Sequence, residues 1–284
     1  MLRYSGLFLI TLLIGMAACN EQPASPIEEI DPPSLPTFDG LPYDFGVFEE
    51  VEASSSEVST PEYDQVEEPD ALLRNVLALM MYRIDESILP ALNDVMKPSH
   101  EVKGAFDRGT FIWEYDLETG FYNGMQINHP ALLRSEEVED EYINWGLFIF
   151  GEDTGEGEFK LVEGNQNEEA TEASWRIFDL EKAPDKHQSV YLSWNTEADS
   201  LSRAEVVTSF DQENEEPLNY TVFELEEDDM IIRFRRVIAD QTIQHLDATL
   251  SLENGEGEMT YRLGDEEDQK RYCWDSDFEM IECE

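Results

Sequence analysis

The sequence predicts a mainly β fold, a curled antiparallel meander sheet or partly open barrel of about eleven strands with an N-terminal helical segment packed on it. Three observations carry this prediction. After residue 108 the spacing of apolar residues changes from a helical period towards two. Acidic, Gly-containing turns then recur about every dozen residues. Beyond that point no strand alternates with a helix, which disfavours a parallel α/β sheet. A long run of sequential antiparallel strands must also hide its edges, and curling with the helix in or over the mouth does so.

Taken from the N-terminus, composition divides the chain into 1–18, 19–69 and 70–284. The first segment has a short basic start with Arg3, an apolar run from Leu7 to Ile14, and the small-residue approach Gly15-Met16-Ala17-Ala18 before Cys19. That is the layout of an export signal. The run is well short of the roughly 20 apolar residues a spanning helix needs, and the chain turns polar at Asn20-Glu21-Gln22. Met16-Ala17-Ala18-Cys19 resembles the lipobox of bacterial lipoproteins, with Met16 where Leu is usual. The resemblance covers this signal alone. It implies cleavage before Cys19, a diacylglycerol thioether on Cys19, further acyl chains such as palmitate, and attachment to a membrane. Asn20, rather than Asp, resembles an outer-membrane address.

Between Asn20 and Leu73 there is no Lys or Arg, while Pro23, Pro26, Pro32, Pro33, Pro36, Pro42, Pro61 and Pro69 interrupt any regular element. Residues 19–69 therefore read as an acidic, Pro-rich disordered tether that lets a folded domain stand off a bilayer. Its apolar islands, Phe38, Leu41, Tyr43, Phe45, Val47 and Phe48, are expected to dock on the domain as a strap.

Asp70 after Pro69 reads as an N-cap opening a helix over Ala71 to Met96. Leu73, Val76, Leu77, Met80, Ile84, Ile88, Leu92 and Val95 make one apolar face, suited to the concave side of a sheet. Pro90 should kink or divide this helix. The strands follow near 110–118, 121–127, 143–151, 158–164, 173–181, 189–197, 203–211, 219–226, 230–239, 242–253 and 257–264, with a final hairpin around Cys273. The clearest hairpin turns at Asn254-Gly255, which suits a type I′ turn. Another crosses the acidic stretch from Tyr220–Leu225 to Met230–Phe234.

The whole chain carries 65 acids against 18 bases. Removing residues 1–18 takes away one base, Arg3, leaving 17 against 65 and a formal charge of −48. Phosphate repulsion then excludes nucleic acid as a partner. Anionic headgroups repel the domain as well, which leaves covalent lipid as the means of attachment. Self-repulsion of this size predicts a salt-adapted protein. With Cys19 assigned to lipid, Cys273 and Cys283 remain as an even pair in a compartment that permits disulfides, and they are expected to bridge.

No motif calls for a cofactor. His100, His129, His187 and His245 are far apart and join no His-Glu-x-x-His, Cys-x-x-Cys or Gly-x-Ser-x-Gly pattern. The Gly151–Gly157 run has three acids and no Lys, so it reads as a hairpin loop rather than a phosphate cradle. Three weaker constellations stand out. Arg233, Arg235 and Arg236 fall within four residues and suggest an anion site, against local neutralisation of acids. Asp275, Asp277 and Glu279 alternate within the Cys273–Cys283 loop and suggest Ca²⁺, without the glycine and spacing of an EF-hand. Trp113, Trp145, Trp175 and Trp194 fall one per strand, for core packing or for a sugar-stacking or lipid-lined surface.

The expected function is that of a non-enzymatic lipoprotein of the bacterial envelope, on the outer membrane, binding an apolar ligand or a partner protein. In architecture the pattern is similar to periplasmic lipoprotein carriers whose half-barrel holds an acyl chain, though no residue motif carries that likeness. The apolar-ligand version requires a continuous cavity between helix and sheet. The alternative is a glycan-directed hydrolase using a carboxylate pair, which requires Trp in a cleft beside an acid of raised pKa.

Overall fold

The computed structural model describes residues 31–45, 48 and 68–283, apart from 139–141, 152–156, 184, 186, 199, 212, 214, 239–241 and 265–268. Pro32–Glu284 form one compact unit. No helix among the described residues is long and apolar enough to cross a membrane.

The helical segment is continuous but changes register. Helix α1 spans Pro69–Arg83, a π turn covers Ile84–Ile88, and α2 spans Leu89–Met96. The expected N-cap is shifted: Glu68 precedes the helix, Pro69 opens it, and Asp70 lies in the first turn within 3.6 Å of Arg74. Pro suits a first helical position because its missing N–H has no partner there in any helix. Pro90 has the effect expected of it, in an unexpected form. It cannot donate to the carbonyl four residues back, and the chain answers with one wide turn in which the Leu89 amide reaches the Ile84 carbonyl.

No residue of α1 is exposed. Leu73, Val76, Leu77, Met80, Ile84, Leu92 and Val95 are wholly buried, each worth about 2 kcal/mol by transfer. That exceeds the differences in helix propensity among ordinary residues, under about 0.7 kcal/mol, so packing fixes where this helix lies.

Fourteen strands form one antiparallel sheet in chain order. They are β1 (Ala105–Asp107), β2 (Thr110–Gly120), β3 (Gln126–Glu137), β4 (Tyr142–Phe150), β5 (Glu158–Asn167), β6 (Glu172–Phe178) and β7 (Gln188–Glu197). Then follow β8 (Ser200–Phe210), β9 (Pro217–Glu226), β10 (Asp229–Val237), β11 (Ile243–Ser251), β12 (Gly257–Leu263), β13 (Lys270–Trp274) and β14 (Met280–Ile281). This is the predicted curled meander with its helix, built of fourteen strands. The additions are short β1, the C-terminal pair β13–β14 that the expected hairpin foreshadows, and the displacement of the strand expected at 121–127 to 126–137. Residues 121–125 are instead the turn between β2 and β3, closed by the Phe121 amide donating to the Met125 carbonyl.

The Asn254-Gly255 hairpin also differs. Its turn spans 252–256, with the Gly255 amide on the Ser251 carbonyl and only Gly255 of the two at positive φ, 76°. The β9–β10 turn is the tight one, two residues with Glu227 at φ 54°.

Alternate residues of the long strands face one buried interior, and the helix lies against it, α2 on β2 and α1 on β9. Register shifts interrupt the β4–β5, β6–β7, β7–β8 and β8–β9 pairs. Each adds local bend and twist, and together they curl the sheet into a trough. The strap expected of the apolar islands is present from residue 38. Asn93 exchanges two hydrogen bonds with the Phe38 backbone, the Tyr43 hydroxyl donates to Asp85 at 3.2 Å, and the Leu201 amide donates to the Pro42 carbonyl. Phe38, Phe45 and Phe48 are buried, on Trp175, Phe223 and Phe278 respectively. The strap therefore runs antiparallel to the helix.

Candidate functional site

Strand alternation splits the arginine trio. Met230, Ile232 and Phe234 are buried, so Arg236 shares the inner face of β10 and Arg233 and Arg235 lie on the outer one. Arg233 Nη1 is 3.4 Å from Glu224, and Arg235 Nη1 donates to the Pro217 carbonyl at 2.8 Å. Arg235 stands opposite Tyr220 on one side and His245 on the other, and His245 stands opposite Arg262. The imidazole Nε2 is 3.5 Å from the Asp247 carboxylate. Burial lowers the His245 pKa, with Arg262 and Arg235 adding to the effect and Asp247 opposing it. Burial and Asp247 raise that of Tyr220, against Arg235 and Arg233. On this face, as expected of local neutralisation, acids answer the bases. Elsewhere on it Arg134 meets Glu158, Arg176 meets Glu163, Arg203 meets Glu224, and Arg271 meets Glu258.

Arg236 points into a different setting. β10 runs towards the end of the trough that carries the β2–β3 turn, which is opposite the end where Pro42 of the strap meets Leu201 at the start of β8. There it neighbours Arg83, the last residue of α1, a residue that no sequence pattern singled out. Burial lowers the Arg83 pKa first, Arg236 lowers it further, and Tyr122 in the β2–β3 turn opposes both. Arg83 Nη1 is buried without a hydrogen-bond partner. Arg236 pairs in register with Gln244 of β11, which is fully buried; the Gln244 amide nitrogen donates to the Tyr261 hydroxyl at 3.3 Å and its Oε1 has no partner. Thr221, opposite Phe234 on the same inner wall, is fully buried with its Oγ1 likewise unpartnered. The inner end of the trough thus gathers two guanidinium groups and several polar groups inside an apolar core.

Of the three acids suggested for calcium, Asp275 holds the loop together. Asp275 Oδ1 accepts from the amides of Asp277 and Glu279 at 3.0 and 3.1 Å, which folds the loop into a turn. No group of three or more His, Cys, Asp or Glu among the described residues could hold a metal ion. The expected disulfide is formed: Cys273 and Cys283 are bridged with 5.3 Å between their Cα atoms. Trp274 stacks on Phe278 inside this loop, and Phe278 meets Phe48 of the strap. Cys19 lies outside the described residues, as does most of the Gly151–Gly157 run.

All five indoles face inwards and are buried, which makes them core. Asp85 is the described carboxyl with a raised pKa, caused first by burial and opposed by hydrogen bonds from Tyr43 and the Leu41 backbone. It sits under the strap at the π turn, away from any indole cleft. Clefts of about 390, 230, 160 and 440 Å³ among the described residues are lined by strand and turn residues of the sheet. One of about 390 Å³ opens on the outer face of β3–β6 over Gly146, between Arg134, Lys160, Arg176 and Phe148. Comparison with protein-family models, with curated protein sequences and with solved structures finds no match.

Proposed function

We propose that this chain is a lipid-anchored protein of a bacterial cell envelope, held at the outer membrane through Cys19, whose β domain is a non-catalytic interaction module for a partner protein. One observation favours an interaction role over carriage of an acyl chain. The trough already holds the chain's own helix, with seven wholly buried side chains facing its walls, and the strap lies along that helix. Binding is then left to the outer sheet face, where paired charges lie over the half-buried rings of Phe148 and Tyr191. The acidic, Pro-containing segment before the helix supplies reach from the membrane.

Two measurements test this reading. Intact mass of the membrane-extracted protein should show an N-terminus at Cys19 with added acyl mass, and Cys19→Ser should move the protein to the soluble fraction. Native mass spectrometry of the detergent-free domain should show it without lipid. Stoichiometric lipid inside the domain would establish a carrier instead, and turnover of a polysaccharide would establish the hydrolase.

A further inference from the structure

We infer that the outer face of β6 to β12 is a docking track for an extended acidic segment of a partner protein, apolar at its centre and carrying carboxylates towards its ends. The inference rests on the interaction role proposed above and names the partner's chemistry. Strand register sets one residue from each of seven neighbouring strands in a single row. Arg176, Tyr191 and Val207 come from β6 to β8, and Tyr220, Arg235, His245 and Arg262 from β9 to β12. The chain has 65 acids for 18 bases, yet this row holds three arginines and no carboxylate. Its middle is apolar. Val207 is turned outwards, is 1% exposed and lies outside the main core, between the half-buried Tyr191 and Tyr220.

Carboxylates reach the row only from its sides. Glu163 is 3.5 Å from Arg176, whose guanidinium also lies over the Tyr191 ring at 5.5 Å, and Asp247 is 3.5 Å from His245. Glu205 and Glu224 meet Arg203, and Glu224 also meets Arg233. Arg235 donates to the Pro217 carbonyl, which satisfies an N–H without cancelling the charge. Arginine and tyrosine are the residue types that most often carry interface energy, and an arginine fork matches the two oxygens of a carboxylate. Strands lie about 4.8 Å apart, so the six intervals from β6 to β12 cover about 29 Å, the reach of roughly nine extended residues. Such a segment can follow the convex outside of a curled sheet, whereas a flat bilayer meets only a few of its strands. Past Arg176 the row drops into the cleft of about 390 Å³, which opens because Gly146 places no side chain between Arg134 and Glu163 in register. That recess receives the end of a bound segment.

The test titrates the full chain, at constant ionic strength, against a fluorescein-labelled peptide of about ten residues with glutamates at both ends and leucine and valine between. The peptide should bind saturably. Arg176→Glu and Arg235→Glu should each weaken it tenfold or more, while Arg108→Glu, at the exposed arginine of the β1–β2 turn, leaves it unchanged. All three reversals change the net charge equally, so the comparison separates contact with the track from bulk repulsion. If a reversal unfolds the sheet, Arg235→Gln takes its place and should weaken binding threefold or more. Serine in place of leucine and valine should cost the peptide tenfold, and lysine in place of glutamate should abolish binding. Tighter binding of polygalacturonate, or of phosphatidylglycerol vesicles, would assign the face to a polysaccharide or a membrane and overturn the inference. So would absence of saturable peptide binding, or binding indifferent to both Arg176→Glu and Arg235→Glu. Such a failure leaves the interaction role to another surface, whereas lipid found inside the domain removes that role whatever the peptide does.

Discussion

Gly164 on β5 faces Trp175 on β6, and a Cβ there would fall inside the indole. Gly257 bears the same relation to Trp274 on the β12–β13 pair. The predicted consequence is that Gly164→Ala overpacks the core and costs roughly 1 to 3 kcal/mol, read as a lower urea midpoint. These glycines were not legible as Trp partners in the sequence, because the pairing depends on register. The same limit applied to bases. Three arginines within four residues look like one cluster, yet a period of two sends Arg236 inwards and its neighbours outwards, and Arg83, whose pKa Arg236 lowers, is 153 positions earlier on the helix. Asp85 supports a pH prediction whose sign follows from its raised pKa. A carboxyl raised on folding stabilises fully below the ordinary carboxylate value of 3.8, and that contribution is lost as pH rises through the higher folded value. Asp85→Asn should therefore melt above wild type at pH 7 and match it near pH 3. Equal melting at both values would show that Asp85 does not oppose strap docking.

The strap has no regular secondary structure, and side-chain anchors hold it. Phe38 sets its ring edge-on against Trp175 at 4.8 Å, while Asn93 imitates a strand partner for its backbone. Phe38→Ala should cost about 3 kcal/mol in thermal or urea unfolding, as for other buried phenylalanines. At the far end, β14 has only two residues and leaves Met280 and Ile281 exposed, so the disulfide must supply what its short ladder cannot. By chain entropy, closing a separation of 10 residues is worth roughly 2 to 3 kcal/mol. Cys283→Ser, or reduction of wild type, should lower the midpoint accordingly. The helix and most strands were readable because apolar period reports burial directly. β3 was misplaced because Pro130 and a run of acids mimic a turn. The structure tolerates that proline because β4 pairs only from Ala131 onward, so the missing N–H falls where no neighbour needs it.

Taken together, the fold resolves two opposing demands: a long apolar helix that needs cover, and a sheet whose edges need hiding. Curling the sheet round the helix meets the first, and very short β1 and β14 limit the second. The chain's negative charge, 65 acids to 18 bases, is spread over strand faces and turns, with the ion pairs of the outer face too exposed to offset it. Unfolding midpoints should rise between 0.05 M and 1 M NaCl, as the Debye length falls to about 3 Å and like charges stop sensing one another. A flat response would mean the acids are balanced locally. The architecture was legible because period, turns and strand order agree; the closed interior was not, because nothing in a one-dimensional pattern says how tightly a trough is filled. One feature of the topology bears on how the molecule is made. Adjacent strands are adjacent in sequence throughout, so the wall can be laid one hairpin at a time as the chain emerges, with short loop closures at each step. Its plug comes first, however. From the emergence of Pro69 until Glu226 completes β9, the apolar face of the helix has no finished shelter, and throughout that interval it is exposed to aggregation.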